Sequence, residues 1–437
     1  MSTVERARQL GRWLTLGTLV GALCGGASAG FLWLLDRATH FRTSHEEIIY
    51  ALPIAGLVLG WVYHRLGTSI RGGNDLVIDR LHDGGAEIPL RMASMVLFGT
   101  LLTHLFGGSA GREGTAVQMG ASLSDWVSHR LKLSAELRRD VLTAGVAAGF
   151  GSVFGTPIAG AIFAVEVVVI GRIDHRALAP ALVASLVGDL VTRGLGIEHT
   201  AYPAAPHVAL TPLLLVEWLA LSGAVALTTA VFIELTHFIK LRGASLLPSL
   251  PIRMAVGGLV VVALWKVVGT SDYLGLGIPT ILRAFEDPTL PVSTFALKLL
   301  FTAVTLGAGF IGGEVTPLFF MGAALGSVAA RLFGIPLALG AGVGMAAVFA
   351  ASSNTPIALS IMAMELLGGS AFPHVAIVCV LSHLLVGHRS IYLAQRLVRT
   401  KSGATLHEVV ALRDVGAVPS TPASPPPTTT PSKASKP

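Results

Sequence analysis

Charged residues are scarce in this sequence. Only 13% of its 437 residues are Asp, Glu, Lys or Arg, whereas 52% are hydrophobic and the mean hydropathy is +0.71. Soluble domains carry about a quarter of their residues as charged side chains. This composition argues against a soluble enzyme and favours a polytopic membrane protein embedded in a lipid bilayer.

Cysteine is also rare, and no metal-binding pattern is present. Cys24 and Cys379 both lie in apolar runs, where a packed free thiol is the simplest interpretation. The sequence contains no CxxC motif and no Cys/His cluster. We therefore predict neither a metal nor a cofactor.

The sequence contains several long apolar runs without charged residues. A helix needs roughly 20 residues to cross a hydrocarbon core of about 30 Å, and some runs are that long, whereas others are too short or contain Pro and Gly. The latter predict broken or re-entrant helices, which a membrane tolerates only where protein or a water-filled cavity surrounds them. The uncharged runs are Trp13–Leu35, Met92–Gly111, Val141–Val165, Leu299–Gly313, Val315–Ala330 and Leu332–Met364.

The net charge of +6 comes from basic residues beside these apolar runs. They cluster in 6–12, 130–139 and 389–401. This is the positive-inside pattern, which predicts that both termini are cytoplasmic and gives no support to nucleic-acid binding.

The chain divides into three parts. Residues 1–12 form a basic cytoplasmic lead, without a cleavage site, before a retained first helix. Residues 13–400 form the membrane domain. Residues 401–437 form a cytoplasmic tail whose Pro/Ser/Thr-rich composition predicts disorder from about 417.

The membrane domain contains an internal repeat. "TPIAGAIFAVEV" at Thr156 recurs as "TPIALSIMAMEL" at Thr355, 199 residues later, and "MGASL" at Met119 recurs as "MGAAL" at Met321 after 202 residues. A weaker match, "GGN" to "GLGIP", has an offset of 203. Two halves, about 13–205 and 206–400, are typical of transporters that hold substrate between repeats. The offsets leave parallel and inverted arrangements open.

A glycine-rich stretch precedes an apolar helix in each half: "GGSAGREGTAVQMG" and "GAGFIGGEVTPLFFMG". Helix N-termini expose free N–H groups and a partial positive charge, so they attract anions. Pro317 suits the first turn of the second helix. We expect the two helix starts to meet and to hold an anion on backbone amides.

Three side chains are candidates for completing this site. Thr316 stands at the second helix start, although a threonine there is often only a cap. Tyr392, in the last hydrophobic stretch "HRSIYLAQRL", has an interfacial belt residue as its alternative. Glu113 is a carboxylate within a membrane domain, which indicates function unless it only pairs with Arg112. Glu166 and Glu365 match in the repeat and suggest structural pairing.

These motifs resemble the CLC family of chloride channels and anion/proton antiporters. The resemblance rests on "GREGTAVQMG", "GGEVTPLFFMG", the duplicated "TPIA" and a tyrosine expected in a final helix, and it covers about 13–400. It implies an all-α fold with an inverted repeat of broken helices, assembled as a homodimer with one pore per subunit. It also implies that Glu113 is the gate and proton-coupling residue and that Tyr392 is the pore tyrosine.

The departures from the usual CLC pattern point to one branch of the family. Thr115 replaces the proline of GREGP, Asn74 stands at or next to the serine of chloride-selective members, and Val167 replaces an inner glutamate. These changes resemble the fluoride/proton antiporters and imply an exporter of fluoride, coupled to protons, in a bacterial inner membrane. The anion ligands and motif residues then implied are Asn74, Gly114, Thr115, Val315, Thr316 and Tyr392, supported by Gly111, Arg112, Gly313, Glu314 and Pro317.

Other functions compete with this interpretation. A chloride channel or chloride/proton antiporter uses the same fold, but the missing serine and Val167 disfavour it. An intramembrane serine hydrolase would use Ser109 of "GGSAG" with His383 or His388, yet no strand precedes Ser109 to form a nucleophile elbow. A cation transporter is disfavoured because paired helix N-termini repel cations. We therefore predict a transporter and not an enzyme.

Overall fold

The computed structural model describes residues 3–399, 401 and 405–417, and the sixteen helices in this part of the chain account for most of it. The tail predicted to be disordered from about 417 lies almost wholly outside the described residues. The helices are α1 (Thr3–Ser44), α2 (Leu52–Leu66), α3 (Asn74–Asp83), α4 (Arg91–Leu105), α5 (Glu113–Arg130), α6 (Ala135–Phe154), α7 (Pro157–Glu166), α8 (His175–Gly194), α9 (Pro212–Leu246), α10 (Leu250–Val268), α11 (Ile278–Glu286), α12 (Thr294–Ala308), α13 (Val315–Phe333), α14 (Leu337–Ser353), α15 (Pro356–Leu367) and α16 (Phe372–Leu385).

Two of the apolar runs are broken helices, as predicted. Within the described residues, six helical segments are long and apolar enough to cross a membrane, and several others are shorter. The run 141–165 divides into α6 and α7 at Gly155 (φ +73°), and the run 332–364 divides into α14 and α15 at Asn354 (φ +57°). Glycine and asparagine enter this left-handed region most easily. The two breaks stand 199 residues apart, the offset of the sequence repeat.

The repeats are inverted. Glu166 ends α7 and accepts hydrogen bonds of 3.1 and 2.7 Å from two N–H groups in the first turn of α15. Glu365, near the end of α15, accepts bonds of 3.0 and 2.8 Å from the first turn of α7. This exchange requires that α7 and α15 run antiparallel. The arrangement that the offsets left open is therefore the inverted one, and the two glutamates have the pairing role that was predicted.

Glycine allows the helices within each repeat to pack at short range. A Cβ placed on Gly120 of α5 would lie 2.2 Å from the Gly145 oxygen of α6. In the second repeat, a Cβ on Gly322 of α13 would lie 2.2 Å from the Gly344 oxygen of α14. No side chain fits at either contact, so both pairs pack backbone against backbone, as small residues permit in membranes. This packing fixes the directions of α5 and α13, whose N-termini form the site.

A small sheet accompanies the helices and was not anticipated from the sequence. β1 (Val169–Ile170) pairs in parallel with β2 (Arg396–Arg399), and β2 pairs antiparallel with β3 (Thr405–Ala411). The registers place Val169 opposite Arg396 and Leu397 opposite Val410. The sheet joins the end of the described chain to the connection between α7 and α8. The predicted helical, inverted-repeat fold is confirmed, with this sheet added to it.

Candidate functional site

The two glycine-rich stretches meet at the centre of the fold. The Gly111 N–H donates to the Gly313 oxygen at 2.6 Å, and the Gly313 N–H donates to the Gly111 oxygen at 2.8 Å. α5 begins two residues after Gly111, and α13 begins two residues after Gly313. This antiparallel pairing brings the two helix N-termini side by side, as the repeat predicted.

Glu113 projects from one helix start onto the other. Its Oε1 accepts a 2.5 Å hydrogen bond from the Thr316 hydroxyl, and its Oε2 accepts 3.1 Å bonds from the backbone N–H groups of Thr316 and Arg112. The Glu113 residue is only 1% exposed. The carboxylate therefore takes backbone donors from both glycine-rich stretches and fills a place where several N–H and O–H groups converge.

Glu113 also pairs with the side chain of Arg112. This pairing exists in addition to the hydrogen bonds that Glu113 accepts at the helix starts. The Arg112 Nε lies 3.5 Å from Glu113 Oε1, and its side chain is 17% exposed. The guanidinium thus lies beside the carboxylate oxygen that Thr316 also contacts. The pairing considered at the sequence level does exist, but Glu113 is buried between the helix starts and does not face open water.

Asn74 approaches the same junction from α3, of which it is the first residue. A Cβ added to Gly114 would lie 3.0 Å from Asn74 Nδ2 and 3.2 Å from the Gly313 Cα. Only glycine at position 114 leaves this approach open. The Asn74 side-chain oxygen is buried and has no hydrogen-bond partner. Its amide is therefore placed at the helix starts with part of its hydrogen-bonding capacity unused.

The remaining predicted residues divide between backbone and side-chain roles. Thr115 is buried, and its hydroxyl pairs with that of Thr100 at 2.6 Å, so its side chain supports the helix start. Pro317 lies in the first turn of α13, as predicted, and its Cδ faces Gly111. Val315 is buried at the first position of that helix. Glu314 occupies the N-cap position of α13 without a side-chain capping hydrogen bond, and its Oε2 is buried without a partner.

Tyr392 is 5% exposed, but the prediction that it lies in a helix is wrong. α16 ends at Leu385, and Tyr392 follows in a turn before β2. The turn forms because Ser390 Oγ accepts the Tyr392 N–H at 2.9 Å and donates to the Gln395 side-chain oxygen at 2.6 Å. Gln395 also donates to the Ser353 oxygen at 2.7 Å, which fixes the turn against α14.

Two cavities flank the junction and share no lining residue. The first, of about 10 Å³, is lined by Glu113 and Thr316 among others, and the second, also of about 10 Å³, is lined by Asn74 and Tyr392 among others. The first is lined by Arg112, Glu113, Phe154, Thr200, Tyr202, Ile278, Thr316 and Phe319. The second is lined by Asn74, Val77, Ile78, Leu81, Val117, Val146, Phe163, Val167 and Tyr392. Gly114 and its neighbours separate them.

Each cavity shares lining residues with a wider vestibule. Phe154, Thr200 and Tyr202 line both the first cavity and a vestibule that reaches Glu198 and His199. Leu81 lines both the second cavity and a vestibule near the connection between α7 and α8. A small cavity and a wider vestibule thus have lining residues in common on each side of the helix starts, with Glu113 in the lining of one small cavity and Asn74 in that of the other.

The structure does not bring the residues of the hydrolase alternative together. Ser109 is fully buried, and its hydroxyl pairs with that of Thr302 at 2.9 Å. The His388 Nε2 instead accepts the Lys401 N–H at 3.1 Å. No described histidine hydrogen-bonds to Ser109, so the GxSxG match carries no nucleophile geometry.

An acidic stripe on α3 was missed at the sequence level. Asp75 Oδ1 accepts the Ala394 N–H at 2.9 Å. Asp79 pairs with Arg396 at 3.2 Å and with Arg413 at 3.0 Å. The stripe therefore holds the helix that carries Asn74 against the segment that carries Tyr392. The spacing of the aspartates, which repeats every four residues at 75, 79 and 83, was the available signal.

An inverted membrane repeat with paired helix N-termini around a carboxylate defines an anion transporter or channel class. The family model "Voltage gated chloride channel" matches residues 55–387. The chain therefore belongs to this family, the CLC family, and the predicted membership is confirmed.

Individual relatives agree with this assignment. The chain is 44% identical over 427 residues to a "Chloride/fluoride channel protein" of Pseudomonas syringae pv. tomato, with 95% of this chain and 94% of the relative covered. It is 34% identical to the chain in the crystal structure of a CLC-type fluoride/proton antiporter, with a TM-score of 0.86, covering 91% of this chain and all of that one. A slow cyanobacterial Cl−/H+ antiporter, at 20% identity and a TM-score of 0.75, shares the fold over 86% of this chain and 94% of its own.

Proposed function

We propose that this protein is a fluoride/proton antiporter that exports fluoride from the cytoplasm. The observation that carries the proposal is the Glu113 carboxylate, which accepts two backbone N–H groups and a hydroxyl at the meeting point of two helix starts. An anionic group already occupies the place where an anion is expected. Similarity to the fluoride/proton antiporter structure supports fluoride as the anion.

The geometry supplies a simple exchange. Protonation of Glu113 removes its negative charge, the side chain leaves, and fluoride takes its place on the Thr316 N–H and hydroxyl and on nearby amides such as those of Gly114 and Val315. Fluoride is small and strongly hydrated, so it needs several compact donors to replace water. Asn74 and Tyr392 line the adjoining cavity and supply the next donors. Return of the ionised carboxylate expels the ion, so one residue couples both movements.

Chloride/proton exchange or a chloride channel is the second candidate, because the family includes both. Val167 lines the Tyr392 cavity and offers no carboxylate there. Asn74 supplies an amide where chloride-selective relatives are expected to have a serine. These two positions favour fluoride over chloride for the proposed exchange.

The decisive experiment is ion efflux from proteoliposomes. The purified protein is reconstituted with internal fluoride or chloride, and anion efflux is recorded together with external and internal pH. We expect fluoride efflux far above chloride efflux, with proton movement in the opposite direction. Chloride efflux equal to fluoride efflux, or fluoride efflux without proton movement, would contradict the proposal.

Replacement of Asn74 tests the selectivity assignment. We expect Asn74→Ser to lower the ratio of fluoride to chloride efflux, because an amide N–H pointing at Gly114 is replaced by a shorter hydroxyl. The ratio is measured on the same proteoliposomes, with size-exclusion profiles confirming that the variant is folded. An unchanged ratio would mean that Asn74 does not contact the ion.

Placement in a bacterial inner membrane, with both termini cytoplasmic and two copies forming a homodimer, belongs to the same proposal. The described chain carries many exposed apolar side chains on its helices, which lipid or a second copy would cover. Basic clusters at both ends support the cytoplasmic placement. Chemical crosslinking in membranes followed by sizing would test the dimer.

Cysteine labelling tests the placement of the termini. Single cysteines at Thr3 and Thr430 should resist a membrane-impermeant thiol reagent in intact cells and react after permeabilisation. The native Cys24 and Cys379 are 2% and 0% exposed, so their background should be low. Labelling of one terminus from outside would require an odd number of crossings.

A further inference from the structure

A second group of basic side chains lies buried beside the loop that precedes α11. Lys298 is fully buried, His104 is 1% exposed and Arg42 is 8% exposed. Among the described residues, no carboxylate lies within 4.0 Å of a side-chain nitrogen of these three. Glu46, the acidic residue whose charge acts on Arg42, is exposed and pairs with Ser271. Buried charge without a counter-charge is costly.

The nearest partners of Lys298 are neutral groups. Its Nζ donates to the carbonyl oxygens of Tyr273 at 3.2 Å and Gly275 at 2.7 Å, and it lies 5.1 Å from the centre of the Phe320 ring. Carbonyl oxygens and the face of an aromatic ring both stabilise a cation. These groups are neutral, so they bring no negative charge into the buried cluster, and the acidic residue that acts on Arg42, Glu46, is exposed.

The other two side chains of the group converge on the backbone at Gly275. A Cβ added to Gly275, whose φ is +55°, would lie 3.3 Å from Arg42 Nη2 and 3.6 Å from His104 Nδ1. The Arg42 Nε and the His104 Nδ1 are buried and have no hydrogen-bond partner. Arg42 and His104 thus each carry one buried, unpartnered nitrogen, and both side chains approach the bare backbone at Gly275.

We propose that a halide ion binds beside Gly275, between Arg42 and His104 and close to Lys298. The site is separate from the one that Glu113 occupies, and it does not depend on which halide is transported. The bound ion would supply a buried negative charge next to these basic side chains. Since His104 Nε2 lies 3.4 Å from the Gly111 oxygen, the site also contacts the loop that carries Glu113.

Binding at this site takes up a proton. A carbonyl oxygen can only accept, so the Nε2 that faces Gly111 carries the hydrogen, and Nδ1 must gain one before it donates to the ion. The charged groups around His104 are Arg42 from α1, Lys298 from α12 and Arg112 from the loop before α5. All three are cations, so His104 accepts the proton only together with the halide. Affinity should therefore fall by up to about tenfold per unit rise in pH.

Fluoride and chloride titrations of the purified full-length protein, followed by calorimetry, test the proposal. Thr316→Val serves as the background, because it weakens the proposed transport site and leaves the Gly275 site intact. In this background we expect halide binding to persist and to weaken at least tenfold in Lys298→Met. His104→Asn, which keeps an amide donor but does not titrate, should bind with little dependence on pH.

A glycine pair provides the matched control. Gly275→Ala places a methyl group in the proposed site, whereas Gly269→Ala places one at a similar φ, +74°, with no atom within 4 Å. We expect Gly275→Ala to abolish the residual binding and Gly269→Ala to retain it. If Lys298→Met fails to fold, the comparison of Gly275→Ala with Gly269→Ala is sufficient to test the proposal. Loss of all halide binding in Thr316→Val, or unchanged binding in folded Gly275→Ala, would overturn the proposal.

Discussion

Replacement of Glu113 by Gln should abolish proton movement driven by a fluoride gradient. The two carboxylate oxygens now accept the Thr316 hydroxyl and two backbone N–H groups. A glutamine amide keeps one acceptor but turns its NH2 towards N–H or O–H donors, so it cannot satisfy the same set. It also cannot titrate, so the exchange of proton for fluoride loses the carboxylate that the proposal assigns to it.

The measurement is pH inside proteoliposomes during fluoride efflux. Fluoride flux in the same vesicles separates two outcomes for the variant: passive flux if the neutral side chain leaves the junction, and stalled flux if it stays. Both retain the conclusion that Glu113 couples the ions. Glu136→Gln is the matched control, because that carboxylate is 82% exposed in its side chain and pairs only at the surface with Arg176. Proton pumping at the wild-type ratio in Glu113→Gln would make Glu113 a helix cap and nothing more.

The two helix starts at the centre of the fold could be predicted from the sequence, because the internal repeat identifies them. The matching offsets of "TPIA" and "MGAS" motifs require equivalent helices, and the glycine-rich stretches before α5 and α13 require helix starts. The Gly111–Gly313 pairing and the contact of Glu113 with Thr316 follow from those two facts and inverted symmetry. The relative orientation of the two repeats could not be predicted from the sequence, because the offset between matching motifs is the same for parallel and inverted repeats.

Features that depend on contacts between distant segments were missed or wrong. Tyr392 was expected in a helix because its neighbours are apolar, yet Ser390 and Gln395 hold it in a turn. β2 pairs with β1, a strand more than 200 residues earlier, and that contact has no local sequence signal. The cluster of Arg42, His104 and Lys298 comes from three helices and has no sequence motif. Such features are determined by packing, which local patterns do not record.

Thr316 is the residue where a single hydroxyl should have the largest effect on fluoride. Its Oγ lies 2.5 Å from the Glu113 carboxylate, so it already binds a negative charge in the structure, and fluoride would use the same donor. Thr316→Val keeps the shape and removes the donor. A hydrogen bond to a charged group contributes about 1.5–3 kcal/mol. Apparent fluoride affinity should therefore fall roughly ten- to a hundredfold, at 1.4 kcal/mol per factor of ten.

The concentration dependence of fluoride efflux measures this loss, and two variants frame it. Thr316→Ser retains a hydroxyl and should recover most of the affinity. Thr229→Val removes another fully buried threonine hydroxyl, one that has no hydrogen-bond partner, and should leave transport unchanged. Unfolding temperatures of the three proteins are measured alongside, so that a loss of stability, from the removed hydroxyl or from the methyl group missing in Thr316→Ser, is separated from a loss of fluoride affinity. Wild-type fluoride affinity in folded Thr316→Val would remove the hydroxyl from the site and leave only the backbone N–H groups as donors to the ion.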